Sequence, residues 1–116
     1  MTATPPVPDF PGIDIQTVPS REECLITVSG DVDDTTAPSL GECLLEVIGR
    51  PDIAAVDLDL SRVTFLDSAG LRTLVIAHQT AQRTGRPLRI RCGSSRAVTR
   101  PLQITGLSAV LTIVDA

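Results

Sequence analysis

The residues best suited to chemistry stand in one run, Phe65-Leu66-Asp67-Ser68-Ala69-Gly70-Leu71, where an apolar stretch passes through an acid, a hydroxyl and a glycine into a helical pattern. Asp67 or Ser68 suits the N-cap of that helix, its oxygen accepting a free first-turn amide. Gly70 asks for a further reason. A glycine in the first turn costs about 1 kcal/mol relative to alanine, and it leaves backbone open to close approach by another molecule. As an enzyme's nucleophile Ser68 would need a base within hydrogen-bond reach. The single histidine, His78, lies ten positions further along the same helix, roughly 15 Å away at about 1.5 Å per residue. Asp67 diverges from Ser68 by about 100° around the helix. The chain has no lysine and no Gly-x-Ser-x-Gly elbow. Ser68 therefore reads as an acceptor whose base is brought by another protein.

Other candidates are weaker. His78 shares a stripe with Leu71, Leu74, Val75 and Ala81, no second ligand has metal spacing there, and it is expected in or beside the core with no role of its own. Cys24, Cys43 and Cys92 are odd in number, far apart and set in apolar-periodic segments, the pattern of buried free thiols rather than a disulfide or a metal site. All ten cations are arginine, so phosphate-loop, Schiff-base and Ser-Lys mechanisms have no lysine to use. With a net charge of −4 and neither Trp nor Tyr, the chain offers no basic footprint for a duplex and no stacking platform for single strands, and nucleic acid is not expected as a partner.

Residues 1–67 carry 13 acids and three arginines, and residues 68–116 carry one acid and seven arginines. Such asymmetry suits charged patches that steer a protein partner, unless folding mixes the halves. No apolar run is long enough to cross a bilayer, and Met1–Gly12, with four prolines and no basic residue, does not fit a secretory signal. A cytoplasmic protein without a membrane partner is expected.

The elements that must position Ser68 follow from periodicity. A chain of 116 residues, 42% of them hydrophobic, is one small domain with an aliphatic core. A Pro-rich flexible arm is expected over 1–12 and the folded domain over 13–116. Ile13, Ile15 and Thr17, then Cys24, Ile26 and Val28, alternate with period two and are separated by the polar break Pro19 to Glu23, which predicts an antiparallel hairpin. Ala37, Leu40, Cys43, Leu44, Val47 and Ile48 have helical spacing, with Thr35 or Thr36 to cap and Gly49 and Pro51 to stop. Ala55 to Leu60 alternates again, Ser68 to Thr84 is a second helix stopped by Gly85 and Pro87, and Leu88 to Cys92 is a strand. A third helix from Ser94 or Ser95 to Gly106 should be kinked or shortened by Pro101, and Val110 to Val114 is expected as the last strand. The order β β α β α β α β predicts an α/β fold with a mostly parallel sheet, helices packed on it and a hairpin strand at one edge.

The run from Val56 to Leu71, Val56-Asp57-Leu58-Asp59-Leu60-Ser61-Arg62-Val63-Thr64-Phe65-Leu66-Asp67-Ser68-Ala69-Gly70-Leu71, resembles the signature of STAS domains, particularly bacterial anti-sigma factor antagonists. Gly30-Asp31-Val32-Asp33 with Thr36-Ala37 resembles the family's loop before its first helix, and Thr105-Gly106-Leu107 its turn before the last strand. The likeness covers residues 13 to 114, with the motifs in order. Pro101 departs from the pattern, as does an end at Ala116 where many members continue into a terminal helix. The resemblance implies that Ser68 is phosphorylated by an anti-sigma factor that is itself a serine kinase, and that a serine phosphatase reverses this. Asp67 would condition the serine, and Gly70 would open the way for the kinase. Asp31 and Asp33 would form an acidic loop beside it, and Asp31, Asp33, Asp67, Ser68, Ala69 and Gly70 would face the partner. Unmodified protein would hold the anti-sigma factor and free a sigma factor. No cofactor is implied for this chain, since ATP and Mg belong to the kinase, and a monomer or weak dimer is expected.

Phosphorylation adds about −1.5 to −2 charges. One unit charge about 6 Å from another costs roughly 3 kcal/mol at an effective dielectric of 20, around a hundredfold in affinity. The free amides and dipole of a helix N-terminus favour a phosphate, so modification is expected to alter the surface without unfolding the domain. Two alternatives stand beside this reading: a STAS scaffold or sensor subunit of a larger signalling assembly, and, opposed by the missing lysine and phosphate loop, a nucleotide-binding or hydrolytic enzyme.

Overall fold

Period-two alternation produces the expected hairpin. In the computed structural model, which describes residues 13–115, β1 (Ile13–Ser20) pairs antiparallel with β2 (Glu23–Val32) through a two-residue turn at Arg21 and Glu22. The predicted arm, 1–12, lies outside the described residues. Arg21 takes φ +58, the left-handed conformation that a tight hairpin turn demands, so both strands extend into the stretch expected as a polar break. Helix α1 (Ala37–Ile48), strand β3 (Ala55–Leu66), helix α2 (Ser68–Thr84), strand β4 (Leu88–Arg91) and helix α3 (Arg96–Thr105) follow. The sheet order is β1-β2-β3-β4, with β2, β3 and β4 parallel.

Alternation also sets the core. Cys24, Ile26, Val28, Val56, Leu58, Leu60, Leu88 and Ile90 are all buried, and so are Leu40, Leu44, Val47 and Ile48 of α1 and Leu74, Ala77 and Ala81 of α2. Helices α1 and α2 lie against each other, and α3 packs on β3. The residues of opposite parity mix the two charge halves. Arg89 donates to both carboxylate oxygens of Asp57 at 2.8 and 3.0 Å and to Glu23 at 3.2 Å, so acids of the first half meet an arginine of the second. Cys24 and Cys92 are buried and Cys43 is half-buried, all as free thiols, and His78 is buried on α2.

β3 and the last strand differ from expectation. β3 continues to Leu66, past the alternation that ends at Leu60, because its register against β2 shifts twice, between Thr27 and Ser29 and between Gly30 and Asp31, and each shift breaks period two. Helix α3 runs from Arg96, after Ser95, through Pro101 to Thr105 and stops at Gly106, the expected bounds, so the proline does not shorten it. The last strand, Val110 to Val114, is reduced to one parallel bridge of Ile113 with Ile90, held by Ile90 N–H donating to Thr112 at 2.8 Å and Val114 N–H donating to Ile90 at 2.9 Å. Its cause lies in β4, which stops at Arg91 two residues before Gly93 takes φ +58 and leaves little strand to pair with. A 3-10 turn at Leu107–Ala109 precedes the bridge.

Candidate functional site

Parallel β2 and β3 deliver two loops to the same end of the sheet, the position where α/β folds present their working groups. The backbone N–H of Asp67 donates to the carbonyl of Val32 at 3.2 Å and stitches the loops together. Asp67 is the N-cap of α2: its extended backbone (φ −105, ψ −169) aims Oδ1 at the first turn, where it accepts from Ala69 N–H at 2.9 Å and Gly70 N–H at 3.2 Å. Ser68 is thereby the first residue of the helix, and its side chain is exposed.

Gly70 is buried. A Cβ there would collide with the Leu66 side chain and lie 2.9 Å from Val32 Cγ1, so glycine is needed to seat α2 against the ends of β2 and β3. The space it leaves faces the protein's own core, which corrects the expectation that it opens backbone to another molecule.

The loop before α1 is built around Asp33. Its Oδ1 accepts from Thr35 Oγ1 at 2.7 Å, Thr35 N–H at 3.0 Å and Thr36 N–H at 3.1 Å, an Asx turn that leads into the helix. The buried Thr36 hydroxyl donates to the Asp31 carbonyl at 2.7 Å and accepts from Asp33 N–H at 2.9 Å. The Thr35 hydroxyl, helped by the loop amides, holds the Asp33 carboxyl below its ordinary pKa. The Asp31 side chain is engaged across the sheet, accepting from Thr64 Oγ1 at 2.7 Å. Beside it in register stands Phe65, 48% exposed, a large aromatic side chain at the same end.

An open depression between the first turns of α1 and α2 is lined by Asp34, Ala37, Pro38, Ser68, Ala69, Arg72 and Thr73. The structure thus brings Asp67, Ser68, Ala69 and Gly70 into one turn and sets the Asp31–Asp33 loop next to it, but the acid that lines the depression with Ser68 is Asp34. The Asp31 side chain is bonded to Thr64 of β3, and that of Asp33 serves the loop's own hydrogen bonds. Asp34 and Arg72 escape a motif-by-motif reading, although Arg72, four positions after Ser68, had a signal in its helical spacing. Arg72 makes no ion pair among the described residues. His78 is buried ten positions further along α2, so the expected separation from Ser68 holds. No group of His, Cys, Asp and Glu among the described residues could hold a metal ion, and no helix among them is long and apolar enough to cross a membrane.

A model of the STAS domain family matches residues 13–116. The fold is similar to that of an anti-sigma factor antagonist from Mycobacterium paratuberculosis, with 28% identity and a TM-score of 0.74 over 90% of this chain and 86% of that one. It is also similar to the anti-sigma factor antagonist SpoIIAA in its unphosphorylated form, at 18% identity and a TM-score of 0.74 over 89% of this chain and 88% of the other. The phosphorylated form of SpoIIAA, a Bacillus cell fate determinant, matches at 17% identity and a TM-score of 0.69 over 89% and 91%.

Proposed function

The chain belongs to the STAS domain family, and on that footing we propose that it is an anti-sigma factor antagonist that works by partner switching. Unmodified protein binds an anti-sigma factor, itself a serine kinase, and so releases a sigma factor for transcription. The kinase transfers phosphate from its own ATP and Mg to Ser68, binding is lost, and a serine phosphatase restores it. The chain itself supplies the acceptor and the docking surface and no catalytic group.

The observation that carries this reading is the exposed Ser68 hydroxyl on the first turn of α2, directly after the Asp67 cap and on the lip of the depression between two joined loops. Asp67 keeps that turn rigid, so a kinase meets a fixed target. With its carboxylate already bonded to Ala69 and Gly70 N–H, it is poorly placed to take the serine's proton, and that task falls to the kinase. The added charge sits beside Asp67 and Asp34 and raises the cost of desolvating this end when a partner docks. The test is a pull-down of the organism's anti-sigma kinases with wild type, Ser68→Ala and Ser68→Glu. Retention by alanine and loss by glutamate are expected; equal capture by all three contradicts the switch.

A further inference from the structure

We propose that Arg72 is the receptor, within the same chain, for the phosphate on Ser68, so that modification changes the docking surface twice: it adds a dianion and withdraws a free guanidinium. This rests on Ser68 being the modified residue. The helix N-terminus cannot take the phosphate freely, because Asp67 Oδ1 already occupies the Ala69 and Gly70 amides. Asp34, on the loop side of the same depression, repels it. Among the residues lining that depression the one cation is Arg72. It stands one helical turn after Ser68 on the same face, with the anion N-terminal to the cation, the favourable order for a pair at this spacing. It is exposed and has no ion pair among the described residues to give up, and its planar fork matches two phosphate oxygens.

Phosphoserine placed at position 68 during translation makes the test independent of any kinase. Its second ionisation, ordinarily near pH 6, is followed by phosphorus-31 NMR in the wild-type background, in Arg72→Gln and in Arg72→Lys. The midpoint with Arg72 is expected about 0.15 to 0.4 pH unit below that of Arg72→Gln, the strength of an exposed helix pair for the one charge that this ionisation adds. The gap should shrink at high salt, and lysine should keep part of it. Since Arg72 is exposed, the variants should fold as wild type does. Coincident midpoints in wild type and Arg72→Gln overturn the proposal. A Ser68 that no kinase modifies would defeat the proposed function and leave this titration standing.

Discussion

Beyond the ends of β3 and β4 an aspartate side chain accepts two successive backbone amides: Asp67 from Ala69 and Gly70, and Asp115 from Cys92 and Gly93 at 3.0 and 2.8 Å. The hydrogen bonds are alike and the outcomes opposite. Asp67 lies two and three positions before its donors, so the turn closes locally and the neighbouring Ser68 hydroxyl is left exposed. Asp115 comes from more than twenty positions downstream, so the same bonds bring a distant segment over the end of β4. Cys92 there is only 2% exposed, and burial, with the Asp115 charge adding to it, pushes its thiol up to about 11. A carboxylate on two amides thus starts a helix beside an exposed serine in one case and ties a distant segment down beside a buried thiol in the other, and the length of chain it closes is the difference.

The largest effect at the Asp67 end is expected from Gly70→Ala. Its methyl collides with Leu66 and crowds Val32, and overpacking of this kind costs about 1–3 kcal/mol, readable by thermal or denaturant unfolding. Asp67→Ala removes the cap and should cost about 1 kcal/mol in the same assay while leaving Ser68 exposed. At the other end, Asp115→Ala should cost about 1 kcal/mol and speed labelling of Cys92 by a thiol reagent, whereas Asp67→Ala should leave that rate unchanged. Equal labelling in both variants would erase the contrast between the two ends.

pH sharpens the same contrast. Asp115 is held below its ordinary pKa first by the Cys92 amide and then by that of Gly93, so its contribution is full above about pH 4 and is lost as pH falls through the folded value. The Cys92 thiol is raised from 9.0 to about 11, so its contribution is full below pH 9 and is lost as pH rises toward 11. Melting curves of wild type should fall over that alkaline window more than those of Cys92→Ala. The smallest effect is expected from Arg89→Gln, whose partners Glu23 and Asp57 lie on the solvent-facing side of the sheet. A loss of about 1 kcal/mol or less in a denaturant titration fits a partly exposed cluster.

How much of this was legible in the sequence depended on whether the signal was local. The hairpin, both long helices and the parallel order follow from uninterrupted period, and the start of α2 followed from an acid and a hydroxyl before a helical stripe. β3 was legible only to Leu60, since the two register shifts that carry it to Leu66 are set by β2 and leave no alternation in β3 itself. Val110 to Val114 alternates like a strand but finds only the four residues of β4 beside it. The role of Gly70 was hidden because the atoms that require it, in Val32 and Leu66, are brought together by packing. Asp31, Asp33 and Asp34 are indistinguishable as letters; only the structure shows that the first is spent on Thr64 of β3 and the second on its own loop, while the third lines the depression with Ser68.

The most direct measurement is titration calorimetry of the cognate anti-sigma kinase with this chain before and after the kinase has phosphorylated it, with mass spectrometry locating the phosphate. A single phosphate on Ser68 and an affinity lowered around a hundredfold are expected. A phosphate elsewhere, or undiminished affinity with Ser68 fully modified, would contradict a switch at the start of α2.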